Sequence, residues 1–414
     1  MALSATSKDK THDYTALSGS SAVAVRARLL RAGVPCQLTV EAADQAFAAQ
    51  YRVIVRDLAA VHIKQPRLGG AGMQFDPDPV GGRYEDGLHR RLEKAAVRTL
   101  YTLGTDEGEV VMTAKSGRGY VIDGISFDRS KVKAVMSAKG LVNLADGARA
   151  SIEDRVPDGL LLGMDPEFVL MQEDDRLVYA SEFMERGGVA GSDVVRYQGE
   201  VIHPIAELRP DPKPTPKEAV TELQKAMREA SRLITNRSLS WRAGALPHTA
   251  FPLGGHIHFS GVPLGLSLLQ ALDNYVALPL VMLEDPRGSK RRPRYGFLGD
   301  FRRQPHGGFE YRTLPSFLIS PLITKVSLYL AYLVARYSDR LLARPLSTER
   351  YHRAYYEGDK AVLMECIPGW HRDVSSLPEY KDYAREIELC LNYIEEGRTW
   401  DESRDIRKLW NIPL

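Results

Sequence analysis

The amino-acid sequence predicts an α+β protein with an antiparallel sheet. Apolar strands and amphipathic helices are mixed along the chain without the regular βαβ alternation that indicates a parallel sheet. The chain has 414 residues, of which 44% are hydrophobic and 26% are charged, the composition of an ordinary globular protein. Its length suggests two or three structural units, at about 150 residues each.

The first part of the chain predicts a flexible arm followed by an accessory domain. Residues 1–20 are polar and small, as in a flexible arm, and residues 21–155 make up the expected N-terminal domain. The sequence patterns of that domain predict helices over 21–33, 42–63 and 83–104, a Gly- and Pro-rich loop over 68–82, and strands at 109–114 and 119–127. No chemistry follows from these patterns.

Residues 156–414 make up the second expected domain. Its first helix begins with Thr215 as the N-cap, Pro216 at the first helical position and Glu218 completing a capping box. The patterns predict strands within 158–171, 194–212, 254–261 and 309–317, and helices over 215–234, over 266–284 and from about residue 321 onward.

Charge and cysteine content exclude several classes of protein. The 55 basic and 53 acidic residues nearly cancel, so no overall field attracts nucleic acid or membrane. The three cysteines (Cys36, Cys366 and Cys390) lie far apart, which argues against disulfides and a thiolate zinc site. The N-terminus lacks the apolar core of a signal peptide, and the apolar passages look too short to span a bilayer. We therefore expect a cytoplasmic protein.

Two short segments place acids inside strand patterns. In "GMDPEF", Asp165 and Glu167 are two residues apart and share a face of a strand, where their charges call for a cation such as magnesium or manganese. A turn acid beside a solvated edge residue explains the same pattern. In "PIAELRP", Glu207 and Arg209 share a face, and the simpler interpretation is a surface ion pair. Glu200 and His203 are weaker candidates.

The segment "GGHIHFSG" places two imidazoles on one face of a strand. His256 and His258 follow Gly254 and Gly255, and such paired glycines let a backbone or a phosphate approach closely. A metal site, a substrate contact and a polar corner of the core all fit this pattern.

The segment "GGFEYRTLPS" repeats the acid–x–base spacing with Glu310 and Arg312. A glycine-containing loop before it is rich in basic residues, which suit phosphate or carboxylate, although a solvated loop explains some of them. Those residues are Arg287, Lys290, Arg291, Arg292, Arg294, Arg302 and Arg303. Metal-binding acids beside arginines are the equipment of phosphoryl transfer, yet the sequence has no Walker, Rossmann or protein-kinase glycine motif.

The four motifs, in the order DPEF, AELRP, GGHIHFSG and FEYRTLPS, resemble those of the glutamine synthetase-like carboxylate–amine ligases. The branch most similar to them is the phage-type COOH–NH2 ligases, or amidoligases. The resemblance covers about residues 158–325. It implies a glutamine synthetase-like curved antiparallel sheet with metals on its inner face and helices outside, and the cofactors ATP and Mg²⁺ or Mn²⁺.

The resemblance also implies roles for individual residues. The metal ligands would be Asp165, Glu167, Glu207, His256 and Glu310. The catalytic residues would be Arg312, which steadies the phosphoryl group, His258, which approaches ATP phosphate, and Arg302. The nucleotide would also meet Gly254, Gly255, Arg294 and Arg303. The first acid is Asp where more distant relatives have Glu, and Glu200 is an alternative extra ligand.

The implied reaction is ATP-dependent amide formation through an acyl phosphate. A substrate carboxylate attacks the γ-phosphate, and an amine then displaces phosphate. The expected partners are small-molecule or peptide carboxylates and amines, without nucleic acid or membrane, and an oligomer is compatible with the sequence. Two alternatives stay open at this point: a metal-dependent kinase of the same superfold, and a non-catalytic module that binds nucleotide or peptide.

Overall fold

The computed structural model describes residues 21–38, 50–67, 70–75, 87–115, 119–138, 159–305 and 307–413. The expected arm at 1–20 and the expected domain boundary near 155 lie outside these residues. The chain divides into two compact units, Met1–Ala150 and Ser151–Leu414, and each is described by itself.

The described residues of the N-terminal unit form a five-stranded antiparallel sheet with helices. Its elements are α1 (Ala22–Arg31), β1 (Gln50–Arg56), β2 (Ala59–Arg67), β3 (Gly70–Phe75), α2 (Gly87–Thr102), β4 (Gly108–Ala114), β5 (Tyr120–Ser126) and α3 (Arg129–Ala138). The strand order is β3-β2-β1-β4-β5. Ile54 of β1 packs against Val132 and Met136 of α3, which attaches that helix to the sheet.

The predicted helix over residues 42–63 is wrong over its described part, from residue 50. This segment forms the hairpin β1–β2, whose turn residues Asp57 and Leu58 have φ angles of 50° and 60°. Two consecutive positive φ angles make a tight hairpin turn, and the β-branched run Val53–Val55 favours a strand. Residues 70–75, predicted as loop, form the edge strand β3.

The C-terminal unit is larger and contains the four motifs. Its strands are β6 (Leu161–Met164), β7 (Glu167–Met171), β8 (Leu177–Val178), β9 (Ala190–Tyr197), β10 (Glu200–Leu208), β11 (Ser240–Arg242), β12 (Ile257–Ser260), β13 (Phe301–Arg303) and β14 (Phe309–Tyr311). Its helices are α4 (Pro216–Leu233), α5 (Leu266–Leu272), α6 (Leu278–Leu283), α7 (Pro321–Tyr337), α8 (Glu349–Glu357), α9 (Lys360–Met364), α10 (Ile367–Ser375), α11 (Ala384–Glu395) and α12 (Arg407–Trp410).

The described strands of this unit form two antiparallel sheets joined at Asp165 and Pro166. The first has the order β11-β7-β10-β9, with β8 beside β7, and the second has the order β13-β14-β12-β6. Backbone pairing bridges the junction, because Asp165 N–H donates to His256 O at 3.3 Å and Glu167 N–H donates to Gly254 O at 3.0 Å. The predicted α+β class with antiparallel strands is confirmed.

Helix α4 begins with the predicted N-cap Thr215 and with Pro216 at the first helical position, whereas Glu218 contacts the Thr215 hydroxyl and not its backbone N–H as a capping box requires. Thr215 Oγ1 accepts a hydrogen bond from Glu218 N–H at 3.3 Å and donates to Glu218 Oε2 at 2.7 Å. The buried stripe of the helix includes Val220, Leu223 and Met227. Amphipathic burial and a complete N-cap together explain why this segment is helical.

The prediction that every apolar passage is too short to span a bilayer is wrong for one helical stretch. Within the described residues, Leu266–Leu283 is long and apolar enough to cross a membrane, yet 83% of it is buried inside the structure. It comprises α5, a π-helical turn at Asp273–Ala277 and α6. Such burial is the environment of a core helix.

Candidate functional site

The second sheet places several predicted site residues on one face. Glu310 of β14 is paired with His258 of β12 on one side and with Arg302 of β13 on the other. Residues directly opposite each other on antiparallel strands point to the same face. His256 and Arg312 lie two residues from His258 and Glu310, so they point the same way.

Asp165 lies against both histidines. Its Oδ1 is 2.9 Å from His256 Nδ1, and its Oδ2 is 3.2 Å from His258 Nε2. His256 Nδ1 is also 3.1 Å from Glu310 Oε1. These four side chains, Asp165, His256, His258 and Glu310, form one group that we call the Asp165–Glu310 cluster.

Glu310 is the most enclosed member of this cluster, with no exposed surface. Its carboxylate accepts hydrogen bonds from Arg302 Nε at 2.6 Å, from Gln304 Nε2 at 2.9 Å and from Arg312. Burial opposes its charged form, but His256 and Arg312 outweigh that effect and lower the pKa of Glu310. The structure thus holds this acid ionised between cations.

Within the cluster, the acids and the histidines stabilise each other's charged forms. Burial disfavours the ionised form of Asp165, yet the neighbouring His256 and His258 outweigh it and lower the pKa of that carboxyl. Burial also disfavours protonated His256, but Asp165 and Glu310 raise its pKa to about 9. Opposite charges at 3 Å in a buried position therefore govern the protonation of this group.

The donor atoms of the cluster fit a divalent cation. Asp165 Oδ1, His256 Nδ1 and His258 Nε2 are buried, and their close contacts within the cluster lack hydrogen-bond geometry. Ligand atoms of Asp165, His258 and Glu310 lie within 4.8 Å of one another. Buried carboxylate and imidazole donors that lie this close together without mutual hydrogen bonds suit a metal ion such as Mg²⁺ or Mn²⁺.

A second group of carboxylates lies on the first sheet. Glu167 of β7 is paired directly with Glu207 of β10. Burial raises the pKa of Glu167 to about 7, and the charges of Asp193 and Asp165 add to that effect, whereas His256 and the Gly254 N–H oppose it. Glu207 also pairs with Arg209, so the predicted ion pair forms, although its acid is buried. Repulsion between the two facing glutamates favours a further cation or a proton between them.

Asp193 of β9 belongs to this second group, although the sequence analysis did not single it out. It is paired with Ile205, two residues before Glu207, so both acids point to the same face. In the sequence it is a lone acid in "GSDVVRY", and the strand pairing is what reveals its position. We call Glu167, Asp193 and Glu207 the Glu167–Glu207 group.

The two glycines of "GGHIHFSG" make room for protein atoms. A Cβ at Gly254 would lie 2.5 Å from His256 Nε2, and one at Gly255 would lie 2.5 Å from Pro315 O and 2.7 Å from Phe317. Gly254 N–H also donates to Glu167 Oε2 at 2.6 Å. These glycines pack the site together, and their assignment to nucleotide binding stays a prediction.

The basic loop divides into buried and exposed arginines. Arg291 donates to the carbonyls of Thr313 and Leu314, each at 3.0 Å, and Arg292 pairs with Glu284 at 2.8 Å. Both guanidinium groups are buried, so they hold the loop in place.

The other predicted arginines of this region, Arg294, Arg302 and Arg303, are exposed. Arg302 joins Glu310 in the cluster, with 59% of its side chain exposed. Arg294 and Arg303 are exposed and lie over the rings of Tyr295 and Phe301. The structure therefore brings Arg302 to the acids, whereas a phosphate contact of Arg294 and Arg303 stays a prediction.

Glu200 and His203, the weaker candidates, lie toward the other end of β10. Glu200 pairs with Tyr197 next to the hairpin turn, seven residues from Glu207. At about 3.3 Å per residue, the two acids are about 20 Å apart along the strand. Glu200 therefore does not join the Glu167–Glu207 group.

A comparison with protein families identifies the family of this chain. A family model described as phage phiEco32-like COOH.NH2 ligase-type 2 matches residues 162–412. The chain belongs to this ligase family. The matched segment contains both sheets' acids and both histidines, so the resemblance noted from the four motifs is confirmed.

Two solved structures show distant similarity to this chain. One is a bifunctional glutathione synthetase from Pasteurella multocida, with 10% identity and a TM-score of 0.34 over 61% of this chain and 49% of that one. Another is Plasmodium falciparum glutamine synthetase, with 8% identity and a TM-score of 0.29 over 73% of this chain and 76% of that one. The chain thus spans about half the length of the glutathione synthetase. No curated protein matches the sequence.

Proposed function

We propose that the C-terminal unit is an ATP-dependent ligase that joins a carboxylate to an amine through an acyl phosphate. The observation that carries this proposal is the Asp165–Glu310 cluster with two arginines, Arg302 and Arg312, on its most buried acid. Carboxylate and imidazole donors for a cation, bordered by guanidinium groups, suit the neutralisation of phosphate charge.

Asp165, His258 and Glu310 would hold a divalent cation, with His256 at 2.9 Å from Asp165 as a further ligand candidate. The Glu167–Glu207 group would hold a second cation. Bound there, Mg²⁺ or Mn²⁺ would supply positive charge next to the phosphate oxygens. These assignments keep the five metal ligands implied by the motifs and add His258 and Asp193.

The protein's own groups would orient and neutralise the reactants. Arg312 is 25% exposed and Arg302 is 59% exposed, so both guanidinium groups are accessible to an anion while anchored on Glu310. A guanidinium that is fixed before the reaction stabilises developing oxygen charge without reorganisation. Arg312 is therefore our choice for the residue that steadies the transferring phosphoryl group.

The proposed chemistry balances in two steps. A substrate carboxylate oxygen attacks the γ-phosphorus of ATP, the bond to the bridging oxygen breaks, and ADP leaves. The amine nitrogen then attacks the carbonyl carbon of the acyl phosphate, the carbon–oxygen bond breaks, and inorganic phosphate and one proton leave as the amide forms. The acid and the amine would be small molecules or peptides.

An assay for ADP tests the proposal. We expect ADP from the full chain with Mg²⁺ only when a pool of amino acids and short peptides supplies both an acid and an amine, and mass spectrometry should reveal adducts that have lost water. A stable phosphorylated product without amine consumption would instead support a kinase. ATP binding without turnover in any pool would support a binding module and refute the ligase.

A further inference from the structure

Arg209 lies beside the Glu167–Glu207 group and pairs with one of its acids. One nitrogen of its guanidinium pairs with Glu207 Oε2. The other terminal nitrogen, Nη1, is buried and makes no hydrogen bond to any described residue. Gly191 lies opposite Glu207, and a Cβ there would be 2.8 Å from Arg209 Nη1. A Cβ at Gly191 would also lie 2.6 Å from Gly187 O and 2.9 Å from Glu185 O, so this glycine admits backbone carbonyls as well as the guanidinium.

The charges around Arg209 are unbalanced. Glu207 is paired across the strands with Glu167, and Asp193 lies on the same face of the neighbouring strand β9. Arg209 supplies one positive charge and contacts one of these acids. A divalent cation at these acids and the guanidinium would therefore compete for the same carboxylate and repel each other.

The guanidinium of Arg209 has a donor nitrogen, Nη1, that makes no hydrogen bond to any described residue. A guanidinium presents donors in a planar arrangement that grips a carboxylate through two parallel hydrogen bonds. The side chain of Arg209 is 33% exposed, so it can reach a ligand. On the other sheet, Arg312 follows Glu310 by two residues and forms an ion pair with it, as Arg209 does with Glu207. The two sheets thus each carry an arginine anchored on a buried glutamate.

We propose that a divalent cation displaces Arg209 from Glu207 and that the released guanidinium binds the carboxylate of the acid substrate. This inference rests on the proposed ligase function and assigns the acid to the Glu167–Glu207 side of the site. Arg209 is then a group that binds substrate in the loaded site and offsets the charge of Glu207 before loading.

Titration with Mn²⁺ alone tests the displacement without any turnover. Calorimetry or electron paramagnetic resonance on the full chain gives the number of bound ions and their affinities. In Arg209→Ala we expect the weaker of two Mn²⁺ ions to bind about tenfold more tightly, because a competitor and a like charge are gone. Arg209→Lys keeps the charge and should stay near wild type. Arg176→Ala, which removes an exposed pair with Asp174, is the matched control.

An activity measurement tests the acid-binding role. With the acid found in the ADP assay, Arg209→Ala should raise the KM for the acid about tenfold while the KM for ATP changes little. Tighter Mn²⁺ binding together with weaker acid binding is a combination that a purely structural role for Arg209 would not produce.

Three results would overturn the inference: a single Mn²⁺ per wild-type chain at saturation, unchanged or weaker Mn²⁺ binding in Arg209→Ala, or an unchanged KM for the acid. Failure of the ligase function looks different. A wild-type chain that forms no ADP with any pool removes the acid-binding role, whereas the Mn²⁺ comparison still decides the displacement.

Discussion

Replacing Glu310 by Gln should weaken both the fold and the cation site. The glutamine retains the shape of the side chain and one acceptor oxygen. Its amide nitrogen, however, would face the donors of Arg302 or Arg312, which now meet the carboxylate. The perturbation therefore removes one buried charge and replaces an attractive contact with a repulsive one.

The size of the effect follows from these contacts. A hydrogen bond to a charged group contributes about 1.5–3 kcal/mol. The Arg302 contact is discounted because 59% of that side chain is exposed, whereas 25% of Arg312 is exposed. We expect a loss of about 2–3 kcal/mol in the free energy of unfolding of the metal-free protein. At about 2–4 °C per kcal/mol for a unit of this size, Tm should fall by roughly 4–12 °C.

Added Mn²⁺ should widen the difference. A ligand at one hundred times its Kd stabilises the folded state by about 2.7 kcal/mol, and Glu310→Gln should not gain this increment. Urea unfolding followed by circular dichroism, with and without Mn²⁺, measures both effects. Glu386→Gln, which breaks a partly exposed pair with Lys325, is the control and should keep the Mn²⁺ gain. Equal midpoints for Glu310→Gln and wild type in both conditions would refute the reasoning.

Three further changes separate ligand, packing and loop roles. His258→Ala should lower the affinity for Mn²⁺ about tenfold or more. It should hardly change Tm, because 32% of the His258 side chain is exposed. Wild-type Mn²⁺ affinity in calorimetry would show that His258 is not a ligand. Gly255→Ala should cost about 1–3 kcal/mol in urea unfolding because its Cβ would meet Pro315 and Phe317, whereas Gly265→Ala, with open space among the described residues, should not. Arg292→Met should destabilise the fold by about 3–5 kcal/mol, because it leaves the buried charge of Glu284 unpaired. The folded fraction of this variant should keep its ADP-forming activity. A stable but inactive variant would contradict this expectation.

The sequence predicted the class of the fold and most members of the site because those signals are local. Strand periodicity places His256 beside His258, and Thr215 caps the first turn of α4. The same periodicity placed Asp165 and Glu167 on one strand. The structure instead changes sheets between them, and Pro166 ends the pairing of the first strand. Spacing alone does not report where a chain passes from one sheet to the next.

Other features depend on distant partners. Arg292 is buried because Glu284 lies eight residues earlier, and Arg291 because two backbone carbonyls near residue 313 accept its hydrogen bonds. Asp193 enters the site through its pairing with β10. The hairpin around Asp57 was misread because alanines before it mimic a helix pattern, whereas the positive φ angles of its turn determine the strand pair.

Transfer of labelled oxygen is the most direct test of the central claim. The acid found by the adduct screen is labelled with ¹⁸O in its carboxylate and incubated with the full chain, ATP, Mg²⁺ and the amine. Direct phosphorylation of the acid predicts that the inorganic phosphate carries one ¹⁸O atom for each amide formed, because the carboxylate oxygen that attacked phosphorus leaves with it. Unlabelled phosphate, or label that appears in AMP instead, would contradict an acyl phosphate formed on the γ-phosphate.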